Sequence, residues 1–226
     1  MNDRRFRVPR VWSNRELERV ASLFKGKIVN VSGWKDIDKE GRRYRDYFLN
    51  ADEYHVSNYV ADARGFQGDL ENEFFLDLTK PVDPSLKFDV VFNHTVLEHV
   101  YEVHQAFSNL CDMSNDIVIV VLPFIQEEHA DYGDYWRFTP QVVDKLFQAN
   151  GLETIYVNYN QDPMSSVYVF AIGSRKPEAW SQIRGLDGNR VDEIYDHSIQ
   201  AGRYAVAPDS PGIFRRLRRK LFSKAT

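Results

Sequence analysis

The segment 88–100 constrains the fold of this chain more than any other part of the sequence. It opens with a short apolar run that is typical of a strand covered on both faces. Polar Asn93 and His94 end this strand, and Thr95 is predicted to cap a helix that reaches residue 111. In an open α/β sheet, ligands bind at the carboxyl ends of the strands. The segment therefore predicts a fold class and also the edge of the sheet that carries a site.

Other apolar runs alternate with helical patterns along the chain. The run at 116–122 is the strongest, because its nearly continuous β-branched residues suit the middle of a parallel sheet. Helices are predicted over about 14–24, after a capping box at Ser13, and from Thr139 to Gly151. The remaining strands are predicted at 27–31, 54–59, 74–78, 152–159 and 167–172. This alternation predicts a parallel α/β sheet that ends in a hairpin-like pair.

Composition narrows the class of protein. The 226 residues suit one α/β domain, and the net charge of −4 argues against a general nucleic-acid binder. A single cysteine, Cys111, excludes an intrachain disulfide and fits a reducing, cytoplasmic compartment. No apolar run approaches the roughly 18 residues of a membrane span. A soluble cytoplasmic protein of unknown oligomeric state is therefore expected.

The pattern divides the chain into three parts: an N-terminal helical extension over 1–25, a core domain over 26–175 and a C-terminal extension over 176–226. Residues 211–226 contain six lysines and arginines and no acid, which leaves the remainder of the chain strongly acidic. Its segment 213–222 is amphipathic at helical spacing. Peripheral contact with an anionic inner-membrane surface is one interpretation, and a solvated helix or a helix docked on an acidic surface is the alternative.

Two blocks carry a family resemblance. The first is the strand beginning Phe88-Asp89 together with Val96-Leu97-Glu98-His99-Val100, and the second runs from Leu122-Pro123-Phe124 through His129 to 134–140. In these blocks the chain resembles the class I S-adenosylmethionine-dependent methyltransferases, and specifically those similar to methyltransferase type 11. Many relatives with the second block belong to surface-glycan gene neighbourhoods. The resemblance covers roughly residues 24–175.

This resemblance implies a Rossmann-like α/β fold: a seven-stranded, mostly parallel sheet with helices on both faces and an antiparallel last strand. It also implies S-adenosylmethionine as cofactor, bound over the first half of the sheet. The implied cofactor-binding residues are Ser32, Gly33, Asn58, Asp77, Leu78, Asn93 and His94.

The chain departs from the family pattern in the cofactor motif. The first turn holds one glycine where the family has two or three, although glycine best allows a backbone to approach a ligand closely. Asn30 replaces the usual acid on the first strand, and the ribose position falls on neutral Ser57 or Asn58. These departures leave open a non-enzymatic scaffold that kept the fold. A nicotinamide-dependent dehydrogenase is disfavoured, because the G-x-G-x-x-G turn is missing.

The segment 123–140 is predicted to form the substrate wall. His129 is the expected general base and Arg137 the expected anchor for an anionic group, while Tyr135 and Trp136 offer flat surfaces to a sugar ring or base. The alternative is a packed loop in which Arg137 pairs with Asp131 or Asp134. These side chains predict methyl transfer to oxygen or nitrogen of a polar small molecule, such as a sugar or surface-glycan intermediate.

No metal site is expected from the spacing of the acids and histidines in this region. His94, His99 and His104 are five residues apart, and five residues do not return to the same face of a helix. Cys111 falls on the apolar face of the predicted helix, as expected for a small buried residue.

Overall fold

We describe a computed structural model of the chain, and the description covers residues 4–59, 65–66, 68, 70–129, 133–162 and 165–195. The segment 213–222 and most of the C-terminal extension lie outside the described residues, so their predictions are not tested. Among the helices of the described part, none is long and apolar enough to cross a membrane.

Seven strands form one sheet, in agreement with the sequence prediction. The order across the sheet is β3-β2-β1-β4-β5-β7-β6. All neighbours from β3 to β5 pair in parallel, whereas β7 is antiparallel to both β5 and β6. The strands are β1 Gly26–Val31, β2 Ala51–Asn58, β3 Glu73–Phe75, β4 Phe88–His94, β5 Ser114–Ile125, β6 Glu153–Tyr159 and β7 Val167–Ser174.

Helices cover both faces of the sheet, which confirms the predicted fold class. They are α1 Arg4–Val20, α2 Val103–Asp112, α3 Pro140–Ala149 and α4 Ser181–Arg184. The helices α2 and α3 pack on one apolar core, whereas α1 and α4 pack on a second core across the sheet. The strand order reverses between β1 and β4, and such a switch point opens a crevice at the carboxyl ends of the strands.

Two predicted helix starts are wrong. Ser13 lies inside α1 instead of capping it, because the helix begins at Arg4 and accommodates Pro9. Thr95 adopts a positive φ of 52° and does not cap a helix. The chain instead forms a 3-10 turn at Leu97–His99 before α2 begins at Val103. The Thr139 cap is confirmed, because its side chain accepts a hydrogen bond from the amide of Val142.

The connection between β1 and β2 contains no α-helix. The sequence predicts a solvated loop or short exposed helix over 34–46, but Asp36, Asp38 and Tyr44 are buried there. The Asp38 carboxylate accepts hydrogen bonds from the Tyr47 hydroxyl, at 2.6 Å, and from the side chain of Asn14 in α1. The charges are tolerated inside the protein because they have polar partners.

Candidate functional site

The site is built at the carboxyl edge of the sheet, where the parallel strands β1, β2, β4 and β5 end. The first half of α1 lies along this edge: Ser13 contacts His94 at the end of β4, and Phe6 contacts the ring of His129 beyond β5. A groove of about 400 Å³ at the amino end of β2 lies at the other edge, and its lining includes no histidine or cysteine. The chemistry of the described chain therefore concentrates at the carboxyl edge.

In the turn after β1, residues other than glycine adopt the left-handed backbone conformation that glycine usually provides. Ser32 and Trp34 both adopt positive φ values, of 58° and 49°. Only glycine enters this region without steric cost, so the turn is held by its surroundings. Gly33 between them is required for another reason: a Cβ there would lie 2.5 Å from Nδ2 of Asn30 and 3.1 Å from Cγ1 of Val56.

The side chain of Asn58, at the predicted ribose position, forms hydrogen bonds with the backbone of this turn. Its Oδ1 accepts a hydrogen bond from the Trp34 amide at 2.7 Å, and its Nδ2 donates to the Trp34 carbonyl at 3.0 Å. Nδ2 also lies 2.7 Å from Oε1 of Glu73, and the residue is only 2 % exposed. The side chain of neighbouring Ser57 likewise accepts from the Ser32 amide. Asn58 therefore fixes the first turn, and both of its polar side-chain atoms already have partners within the protein.

Asn30, the polar residue on β1, is paired with Asp36, which the sequence did not indicate as a site residue. Asn30 donates a 2.8 Å hydrogen bond to the carboxylate of Asp36, which also accepts from the Tyr54 hydroxyl and the Arg45 amide. Burial raises the pKa of Asp36, and these hydrogen bonds oppose the rise. The acid absent from β1 is thus present six residues later, folded back against the strand.

Asp77 and Leu78 follow β3, which ends at Phe75, whereas the sequence predicts a strand over 74–78 that contains both residues. Oδ1 of Asp77 accepts hydrogen bonds from the amide and hydroxyl of Thr79, at 2.8 and 2.7 Å. The described chain provides no partner for Oδ2 of this half-buried residue. Leu78 is buried, and its carbonyl accepts from Asn109 of α2. Asp77 therefore retains an oxygen with which it could meet a ligand.

Asn93 and His94 end β4 in different environments. Asn93 is fully buried; its Nδ2 donates to the carbonyl of Val31, and its Oδ1 has no partner among the described residues. His94 lies 2.9 Å from the Ser13 hydroxyl through Nε2 and 3.1 Å from the Thr95 hydroxyl through Nδ1. Burial lowers the pKa of His94 to about 3, assisted by the charge of Arg10, so the imidazole is neutral.

The loop after β5 is organised by one ion pair. Arg137 binds Asp134 through both terminal nitrogens, at 2.6 and 2.7 Å, and its other donors bind the carbonyls of Gln126, Glu127 and Trp136. All five guanidinium donors are therefore used within the loop. Pairing with Asp134 was the alternative interpretation of Arg137, and the structure contains this pair.

Asp134 also holds His129. Its Oδ2 accepts from the amide of His129 at 2.7 Å and lies 3.0 Å from Nδ1 of the ring. Burial works against the charge on Asp134, yet the hydrogen bonds from Arg137 and His129 lower its pKa to about 2. An ionised acid behind an imidazole fixes the orientation of the ring.

Tyr135 and Trp136 lie apart from this ion pair, in an aromatic group with Tyr101. Tyr135 is 52 % exposed, and its ring meets Tyr101 edge-on at 5.4 Å. Trp136 donates its indole N–H to the Tyr101 carbonyl. The amide of Tyr135 donates to the backbone carbonyl of Glu98 at 2.7 Å, which ties the loop to the end of β4. These rings form a partly exposed wall beside the half-buried histidines His99 and His129.

Glu98 is the most unusual residue at this edge, and the sequence analysis gave it no site role. It is fully buried in the 3-10 turn after β4, and neither carboxylate oxygen has a hydrogen-bond partner among the described residues. Burial raises the pKa of Glu98 to about 8, although the charge of Arg10 opposes the shift. The ligand atoms of Glu98, His99 and His129 lie within 4.8 Å of one another. Spacing could not reveal this cluster, because it joins two segments 30 residues apart.

Comparisons with known proteins support the same fold. No family model and no curated protein sequence matches the chain. Among solved structures, the complex between the Haloferax volcanii Trm112 methyltransferase activator and a proposed methyltransferase matches with a TM-score of 0.56 at 10% identity, over 74% of this chain and 90% of the matched chain. A proposed methyltransferase from Bacillus halodurans gives 0.55 at 10% identity, over 71% and 97% of the two chains.

Magnesium protoporphyrin IX methyltransferase from Synechocystis, solved with S-adenosylmethionine bound, matches with a TM-score of 0.50 at 12% identity, over 77% of this chain and 85% of its own. The chain therefore has the Rossmann-like fold of the S-adenosylmethionine-dependent methyltransferases. At these identities the likeness concerns the fold alone.

Proposed function

We propose that this protein is an S-adenosylmethionine-dependent methyltransferase. The observation that carries the proposal is the strand order with one reversed strand, combined with a cluster of titratable groups around the buried Glu98 at the carboxyl edge. In α/β sheets of this kind, that edge is where ligands bind. The core domain over 26–175 would then hold both cofactor and acceptor, and the helix α1 would close the edge.

Two observations fit the cofactor. The turn at Ser32 and Trp34 has the left-handed backbone that the family forms with glycine, and the buried oxygen of Asn93 has no partner among the described residues. We expect Ser32, Gly33 and Asn93 to lie against the methionine end and Asp77 with Leu78 against the adenine. When bound, S-adenosylmethionine supplies an electrophilic methyl group on a sulfonium.

The chain's own residues would then position and deprotonate the acceptor. His129, held by Asp134, is the proposed base that removes a proton from a hydroxyl or amine. Arg137 would act as a positioning residue, because its donors hold the loop and not an external anion. Tyr135 and Trp136 would stack on a sugar ring, which is the basis for proposing a sugar or surface-glycan intermediate as substrate. A cytoplasmic site with peripheral membrane contact through 213–222 belongs to the same proposal.

A methyltransferase-fold scaffold is the second candidate, and Asn58 favours it. The polar atoms of this residue are taken up by the backbone of Trp34 and by Glu73, which removes the expected ribose contact. The connection between β1 and β2 also lacks an α-helix, whose amino terminus would face the crevice. Such a scaffold would keep the two buried cores and bind a partner protein, but it would not bind the cofactor.

Calorimetric titration with S-adenosylmethionine separates the two candidates. For an enzyme we expect micromolar binding, about tenfold weaker in Asp77→Asn because one charge-assisted hydrogen bond is lost. Asp83→Asn is the matched control, since Asp83 caps a turn at Ser85 just as Asp77 caps Thr79 but is exposed. Absence of binding at high micromolar concentration, in a protein that melts cooperatively, would support the scaffold.

The substrate is tested separately with methyl-labelled S-adenosylmethionine and a panel of sugars, sugar phosphates and hydroxylated aromatic compounds. We expect label to enter the sugar compounds at oxygen or nitrogen, detected by mass spectrometry. His129→Gln should lower the turnover number far more than it weakens cofactor binding. Label that enters only the aromatic compounds would contradict the sugar assignment while leaving the methyltransferase proposal intact.

A further inference from the structure

Three potential metal ligands from two segments converge beneath α1. Nε2 of His99 lies 3.8 Å from Oε1 of Glu98, and one ligand atom each of Glu98, His99 and His129 lies within 4.8 Å of the others. Ligand atoms around a tetrahedral Zn²⁺ are roughly 3.3 Å apart. The cluster therefore needs to contract by at most roughly 1.5 Å to enclose an ion of this size.

Both histidines are oriented as metal ligands usually are. His99 donates from Nδ1 to the carbonyl of Gly133 at 2.6 Å, and His129 binds the carboxylate of Asp134 through Nδ1 at 3.0 Å. In the tautomer that donates from Nδ1, each ring keeps its lone pair on Nε2, where it can bind a metal. Nδ1 of His129 also lies 2.8 Å from the Gln126 amide nitrogen. Gly133 itself adopts a φ of 110°, and a Cβ there would clash with the ring of Tyr135. The loop therefore requires glycine at the position whose carbonyl orients His99.

The cluster also contains buried oxygen atoms that the described protein does not satisfy. Neither oxygen of Glu98 has a hydrogen-bond partner, and the same holds for Oε1 of Gln126. The Gln126 amide nitrogen lies 3.1 Å from Nε2 of His129. A half-turn of that amide would present Oε1 to the same point. Buried polar groups are normally paired, so three unpaired oxygens beside two oriented imidazoles point to a missing cation.

We propose that Glu98, His99 and His129 are the three protein ligands of a divalent transition-metal ion of the Zn²⁺ or Co²⁺ type, beside the Gln126 side chain. Two imidazoles and one carboxylate suit such ions better than Mg²⁺ or Ca²⁺, which prefer all-oxygen sites. Arg10 and Arg137 place positive charge nearby. The ionised Asp134 offsets Arg137, and the carboxylate of Glu98 is the counter-charge for the ion itself.

The site goes beyond the proposed methyltransferase function and does not depend on it. Three protein ligands leave a position open for water or for a substrate hydroxyl, whose pKa an ion of this type lowers. In the loaded protein His129 would be a ligand, and the ion would take over the activation of the acceptor. Metal binding and cofactor binding can therefore be measured separately, and either can fail alone.

The experiment uses the full chain, freed of metal with a chelator and titrated with Co²⁺ and Zn²⁺. We expect one ion per chain and a visible Co²⁺ absorption band typical of nitrogen and oxygen ligands. Glu98→Gln and His99→Gln should each weaken binding by about 100-fold or more, and Asp134→Asn by about 10- to 100-fold, because it only orients a ligand. Glutamine fits the buried site of Glu98 without a charge, so that variant should fold.

Matched controls lie a few residues further along. Glu102→Gln and His104→Gln change the same residue types at exposed positions and should bind Co²⁺ like the unaltered protein. The proposal is overturned if the unaltered protein binds less than one ion per chain at micromolar concentration. It is equally overturned if Glu98→Gln and His99→Gln keep the affinity of their controls, since the ion would then be bound elsewhere on the surface.

Discussion

At the scale of single residues, Glu98 couples the site to the stability of the fold. Its pKa is raised by burial to about 8, from about 4.5 in an exposed glutamate. Between these two values the folded protein holds a proton that the unfolded chain has released. The free energy of unfolding therefore falls as the pH rises through this window, by up to about 1.4 kcal/mol per pH unit.

Glu98→Gln should remove this pH dependence. We expect the variant and the unaltered protein to have similar free energies of unfolding near pH 5, and the variant to be more stable by a few kcal/mol near pH 8. Urea unfolding with a chelator present measures both curves. Glu102→Gln, at an exposed position in the next turn, should follow the unaltered protein. Parallel curves for Glu98→Gln and the unaltered protein would show that Glu98 is ionised in the fold.

Residue types in the sequence indicate chemistry better than they indicate contacts. The apolar pattern places Asn58 and Asp77 near the carboxyl ends of two predicted strands, and the structure ends these strands at Asn58 and Phe75. The sequence could not show that Asn58 binds the backbone of Trp34, since that contact depends on a positive φ in the turn. The pairing of Arg137 with Asp134 could be predicted from the sequence, because the two residues are three positions apart.

At the scale of elements, α1 is the largest departure from the sequence prediction. The pattern of Ser13, Asn14 and Glu16 resembles a capping box at the start of a helix. In the structure these residues lie well inside α1, and their side chains are buried. Ser13 donates to the carbonyl of Arg10 and contacts His94, while Glu16 binds the hydroxyl of Tyr156. Capping residues and buried polar residues have the same composition, so local sequence alone cannot tell them apart.

Because α1 packs on the second core, the fold should depend on it. Leu17 is 1 % exposed and packs on α1's side of the sheet, so Leu17→Ala should lower the free energy of unfolding by about 2–5 kcal/mol. Arg15→Ala, at an exposed position of the same helix, should change it by less than about 0.5 kcal/mol. Chemical denaturation measures both. Equal, small effects would indicate that α1 is a separable extension, as the division at residue 25 predicts.

At the scale of the whole molecule, the strand pattern was enough to predict the architecture but not the site. Alternating apolar runs and helices restrict a chain of this size to a few topologies, and the resemblance selected the one with a reversed last strand. The histidine and glutamate cluster depends on how the loop after β5 folds back against the turn after β4. Spacing arguments assumed a continuous helix from residue 95, and the 3-10 turn at Leu97–His99 removes that assumption.

Cys111, the single cysteine of the chain, should report unfolding of the whole molecule. Its side chain is fully buried in the core between the sheet and α2, and burial raises the pKa of the thiol to about 12. A disulfide reagent reacts with the thiolate, which therefore forms only when the core opens. At pH 8 we expect native labelling to be at least about 1000-fold slower than labelling in concentrated urea.

The dependence of this rate on urea distinguishes global from local opening. If α2 is released only with the rest of the sheet, the slope of the logarithm of the rate should match the slope of equilibrium unfolding. The control combines Cys111→Ala with His104→Cys, because His104 is exposed on the same helix and its replacement should be labelled at the unfolded rate in the native protein. A slope much smaller than the equilibrium value would mean that α2 opens by itself, and the two cores would then not unfold as one unit.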